Sequence, residues 1–91
     1  MEINFTSEIW KEGNAYVAYS PELDVSSCGK TIGEAKENLL EAVEGFLEEA
    51  EKMGTLRIIL EEAGFTKEDK EKQIAWKAPE LLSLERVSFA L

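Results

Sequence analysis

The sequence predicts an α+β fold: a three-stranded antiparallel meander with one long helix packed on it, in the order β-β-β-α. A short helix and a C-terminal strand follow. Three observations predict this. Residues 29–54, GKTIGEAKENLLEAVEGFLEEAEKMG, read as one capped amphipathic helix. Residues 2–28 alternate apolar and polar side chains between turn signals, the period of half-buried strands. A greasy stripe as long as that helix needs a partner surface, and a sheet of alternating strands supplies one.

The helix is the best specified element. Thr31 and Glu34 form a capping box, in which the hydroxyl accepts from the Glu34 amide and the carboxylate reaches back to the Thr31 amide. Ala35, Leu39, Ala42, Val43, Phe46, Leu47 and Ala50 recur in steps of three and four and share a face. Lys36, Glu37, Glu41, Glu44, Glu48, Glu51 and Lys52 occupy the other. Gly54 suits the left-handed closing position. Such a helix spans about 20 residues, or roughly 30 Å.

Before it, residues 2–11 read as a strand, with Ile3, Phe5 and Ile9 among polar neighbours. The stretch 12–14, Glu-Gly-Asn, is a turn signal. Residues 15–20 form the second strand, with Ala15, Val17 and Tyr19 on one face and Tyr16 and Ala18 on the other. Pro21 ends it because proline cannot donate to the ladder. Residues 22–24 connect to a third short strand at 25–28, and Gly29 and Lys30 turn the chain into the helix.

After it, Thr55 is a candidate N-cap for a short helix carrying Leu56, Ile59, Leu60 and Ala63, closed by Gly64 with Phe65 behind it. Residues 66–71 read as a helical turn or a loop. Ile74 and Trp76 suggest a strand or extended arm broken by Pro79. SLERVSFAL, residues 83–91, fits a final strand, with a helix over 79–87 as the alternative. The chain thus divides into residues 1–54, a β-β-β-α domain, and 55–91, an extension suited to packing or oligomerisation.

The 91 residues carry 19 acidic and 10 basic side chains, a formal net charge of −9. Residues 1–54 hold 12 acidic and 4 basic, net −8; residues 55–91 hold 7 and 6, net −1. That acidity disfavours phosphate backbones, so no direct nucleic-acid binding is expected. It suits a basic partner, and it equally serves plain solubility. No stretch has the length of a bilayer span and no signal peptide opens the chain, so no membrane role and a cytoplasmic address are expected. With one cysteine and no histidine, neither an intramolecular disulfide nor a usual zinc site can form, and no histidine can act as a general base.

No catalytic residue, metal site or cofactor is therefore expected, and the chain does not read as an enzyme. Glu2, Glu8 and Glu12 lie on strands without a metal-cluster pattern, and Cys28 reads as a small buried strand residue. Trp10, Tyr16 and Tyr19 either anchor a partner or pack under the helix. Tyr16 is expected on the sheet face that the helix leaves uncovered, where a dimer or partner docks. Glu22 and Asp24 could share a face or be a solvated turn. The candidate partner-binding residues are Tyr16, Glu22, Asp24, Glu37 and Glu41.

The run YVAYSPELDVSSCGKT followed by GEAKENLLEAVEGFLEE resembles the HicB-type antitoxins and their stand-alone relatives. The resemblance is carried by Tyr16, Val17, Ala18, Pro21, Glu22, Leu23, Gly29, Thr31, Glu34, Ala35, Asn38, Leu39, Glu41 and Ala42, within residues 3–52. It implies a partial ribonuclease-H-like fold. It also implies steric masking of a small basic RNase toxin of the HicA type, by a chain that forms a homodimer or higher oligomer. Many such relatives add a C-terminal DNA-binding domain; residues 55–91 lack a basic stripe and depart from that pattern. The alternative is a stand-alone oligomeric HicB-like module with no toxin partner.

Overall fold

A computed structural model describes residues 1–71 and 73–91. The elements in chain order are β1 (Glu2–Asn4), β2 (Glu8–Glu12), β3 (Ala15–Ser20), β4 (Val25–Gly29), α1 (Ile32–Met53), α2 (Leu56–Glu62), β5 (Thr66–Lys70) and β6 (Gln73–Lys77). The fold is α+β. β2, β3 and β4 form the expected antiparallel meander, and β1, β6 and β5 form a second three-stranded sheet.

The meander is set by its turns. Gly13 takes φ +59°, which a residue with a side chain rarely adopts, and the β2–β3 register then runs from Glu12 opposite Ala15 to Glu8 opposite Tyr19. β3 continues into β4 through the Pro21–Asp24 turn, pairing Ser20 with Val25 and Tyr16 with Gly29.

The helix caps form much as the sequence predicts. The Thr31 hydroxyl accepts from the Glu34 amide at 3.0 Å. The returning Glu34 carboxylate accepts from Lys30 N–H at 3.3 Å, one residue before the expected Thr31 amide. Gly54 is left-handed, and its N–H bonds back to the carbonyls of Ala50 and Glu51. Thr55 makes no side-chain cap; its hydroxyl donates to Ala50 O at 3.3 Å and tucks the second helix against the end of the first.

The core is one cluster of Ala18, Leu23, Ala35, Leu39, Val43, Leu60, Phe65 and Trp76, drawn from both halves of the chain. The helix stripe is narrower than its sequence suggests. Ala35, Leu39, Val43 and Ala50 are buried and Leu47 half-buried, while Ala42 and Phe46 lie at the exposed margin. Asn38 Nδ2 donates to the Cys28 carbonyl at 2.9 Å and ties α1 to β4.

Four expectations are corrected. Residues 2–11 are two strands, because the backbone leaves the meander at residues 5–7 and β1 pairs in parallel with β6, Ile3 opposite Trp76. Residues 66–71 hold strand β5, antiparallel to β6, instead of a helical turn or loop. Residues 83–91 form no strand and residues 79–87 no helix; this segment has no ladder partner among the described residues. Cys28 is exposed, since it lies opposite Val17 on the face away from α1.

Candidate functional site: the open face of the meander

Strand alternation sorts the meander into two faces. Ala18 and Ser20 are fully buried, and Tyr16 packs against the core cluster. The set Tyr16, Ala18, Ser20 therefore faces α1. Gly29 explains why the residues beneath the helix are small. A Cβ at Gly29 would lie 2.6 Å from the Ala35 amide nitrogen, so helix and strand approach too closely there for a side chain. The expected placement of Tyr16 on the uncovered face is thus corrected: it points to the helix side.

The open face belongs to the other set. Trp10, Val17 and Cys28 form one cross-strand row; Glu8, Tyr19 and Ser26 form the next. Trp10 is 37% exposed, and its indole N–H donates to Glu8 Oε1 at 3.0 Å. The Tyr19 hydroxyl donates to Asp24 Oδ1 at 2.9 Å. Each aromatic polar atom is thereby held by a neighbouring carboxylate, which fixes the ring on the face. The hydrogen bond to Asp24 raises the Tyr19 pKa above its ordinary value, helped by desolvation and by the negative charges of Asp24 and Glu8. The Arg86 guanidinium lies 5.2 Å from the Trp10 ring centroid, a cation–π contact from the C-terminal segment.

The Pro21–Asp24 turn supports this face. Glu22 is half-buried, and its two carboxylate oxygens accept from the Thr6 N–H at 3.0 and 3.2 Å, with the Ser20 hydroxyl 3.4 Å from Oε1. It fastens the β1–β2 connection to the end of β3. Leu23 enters the core. Asp24 takes φ 53°, a left-handed conformation that aspartate tolerates better than most residues, and so reaches Tyr19.

The sequence candidates are accordingly dispersed. Asp24 borders the open face, Glu22 is engaged by backbone beneath it, Tyr16 faces the helix, and Glu37 and Glu41 are exposed on α1. Trp10 and Tyr19 stand on the open face side by side with Val17. The alternation of Val17 and Tyr19 with Ala18 and Ser20 on β3, and of Trp10 with Ile9 on β2, was the available signal. Among the described residues, no group of three or more His, Cys, Asp or Glu side chains is placed to hold a metal ion. No described helix is long and apolar enough to cross a membrane. No protein-family model, curated protein or solved structure matches the chain.

Proposed function

We propose that this chain is a binding protein of the HicB type, which masks the RNA cleft of a small basic RNase of the HicA type. The observation that carries the reading is the open face: two oriented aromatic rings, Trp10 and Tyr19, bordered by the carboxylates Glu8 and Asp24. Aromatic anchors ringed by acidic groups suit a basic protein surface, where the rings supply contact energy and the charges raise the association rate. The −8 balance of residues 1–54 extends the same attraction beyond contact range. The mechanism is exclusion, in which an acidic, folded surface occupies the place of RNA without chemistry of its own.

The test is inhibition of a purified HicA-type RNase by this chain. Inhibition at stoichiometric concentration is expected, with association slowing several-fold between low and high salt. Trp10→Ala is expected to weaken it by 10-fold or more, as for an anchor residue, corresponding to about 1.4 kcal/mol. An RNase that cleaves undisturbed in the presence of excess chain would overturn the reading. A stand-alone oligomeric module is the second reading, favoured by the apolar side chains that residues 81–91 leave in solvent.

A further inference from the structure

Residues 79–86 run beside the meander as a strap fixed at its two ends. At the start, Pro79 lies against Gly64, where an added Cβ would sit 3.0 Å from Pro79 Cγ. Ala78, just before it, packs against the core. At the far end, the Arg86 guanidinium stands 5.2 Å from the Trp10 ring centroid. Between these points the strap is loosely held. Leu81, Leu82 and Leu84 are 61–85% exposed, and a cleft of about 660 Å³ opens between the strap and β2.

The cleft is acidic. Glu8, Glu22, Glu80 and Glu85 line it against the single cation Arg86, an excess of three negative charges among the described residues. Two of these carboxylates have structural tasks: Glu8 holds the Trp10 indole and Glu22 the Thr6 N–H. Arg86 enters no ion pair among the described residues. Its contact is with the ring, inside a field of carboxylates. Such a setting suits a guanidinium, whose flat face stacks on an indole while nearby negative charge adds to the attraction.

We propose that the face of Trp10, with Glu8 beside it, is a subsite for an arginine side chain of a basic partner, and that Arg86 holds this subsite in the free chain. Arg86 shows the fit, since a guanidinium already stands on the ring. The excess of carboxylates selects a cation to replace it. The strap is built to let go. An exposed cation–π contact is weak, no strand or helix includes residues 78–91, and the buried core cluster ends at Trp76, so lifting Arg86 opens no core. While Arg86 is in place, it lowers the apparent affinity for the partner in proportion to the chains it occupies. The inference rests on the RNase-masking reading for the source of the arginine; the subsite itself is tested without an RNase.

The test titrates the full chain with N-acetyl-arginine amide and follows the NMR signal of the Trp10 indole N–H. The buried Trp76 indole is the internal reference. A saturable shift of Trp10 alone is expected. Arg86→Ala removes the resident cation and should tighten the apparent Kd by about 2- to 5-fold, the strength of an exposed cation–π contact. Arg57→Ala makes the same change in net charge on α2, where Arg57 pairs with Glu61 at 3.1 Å, and should leave the Kd unchanged. A Trp10 signal that moves in neither the wild-type nor the Arg86→Ala chain overturns the proposal, as does an Arg86→Ala chain that binds no tighter than Arg57→Ala. Arginine binding at Trp10 without RNase inhibition would strike the masking reading and leave the subsite standing. Inhibition without arginine binding at Trp10 would strike the subsite alone.

Discussion

Gly29→Ala probes the closeness of helix and sheet. The new methyl carbon would sit 2.6 Å from the Ala35 nitrogen and 2.9 Å from both the carbonyl carbon and the Cβ of Glu34. Ordinary separations begin at about 3.5 Å, so α1 must retreat by about 0.5–1 Å. Two of the three obstructing atoms are helix backbone and cannot rotate aside. The retreat loosens Ala35, Leu39 and Val43 over Ala18, contacts at the centre of the core. Overpacking costs typically about 1–3 kcal/mol, and rigid obstruction places this case at about 2–3. For a domain of this size, that lowers Tm by roughly 8–24 °C. Gly45→Ala is the internal control. It lies inside α1, and a Cβ there would meet nothing within 4 Å, so the same change should stabilise by about 0.5–1 kcal/mol. Urea unfolding followed by circular dichroism reads both, with the midpoint moving and the slope constant. If Gly29→Ala lies within about 0.5 kcal/mol of wild type, or shares the sign of Gly45→Ala, the close-approach argument is wrong.

Three further outcomes follow from single contacts. Leu39→Ala empties a fully buried position beneath the helix and should cost about 2–5 kcal/mol in the same urea assay; a loss below about 1 would mean the stripe is not the core. Glu22→Ala leaves the Thr6 N–H without its two carboxylate acceptors and should cost about 1–2 kcal/mol, with Thr6 amide exchange accelerated more than that of the Ala18 amide. Asp24→Asn should lower the pKa of Tyr19, read from phenolate absorbance in a Tyr16→Phe background. The sign is fixed by the bond: the neutral hydroxyl donates to Asp24, so the folded-state pKa lies above the unfolded 10.0. The stabilisation is complete below pH 10 and is lost as pH rises through the folded value.

Much of the architecture was legible because it is written locally. Thr31, Glu34 and Gly54 mark both ends of α1, and Gly13 and Pro21 bracket β3. What escaped is non-local. Nothing in EINFTSEIWK says that Ile3 will pair with Trp76 while Ile9 pairs with Ala18, because that division depends on a strand more than 60 residues away. β5 is charged and carries no apolar alternation; its pairing with β6, including the Lys77–Glu68 ion pair at 3.0 Å, makes it a strand. The faces of β3 were separable from alternation alone. Which face meets the helix depended on how near the helix lies. Tyr19 shares its register with Ala15 and Val17, and Tyr16 was therefore expected on the other, uncovered face; the close approach at Gly29 instead put Tyr16, Ala18 and Ser20 on the side of α1. Glu22 read as a solvated turn residue because its acceptor role requires Thr6, sixteen positions earlier.

The parallel pairing of β1 with β6 dictates an order of assembly. Glu2 meets Ala75, and closing so long a loop costs entropy that a three-residue strand repays only after β6 exists. β2 to α1 are contiguous and need no such wait. During synthesis the first strand therefore emerges from the ribosome with nothing to bind, while the meander and its helix consolidate behind it. Pulse-labelled hydrogen exchange should find Ala18 and Leu39 protected before Ile3. β1 is thus made before the meander and finds its place after it.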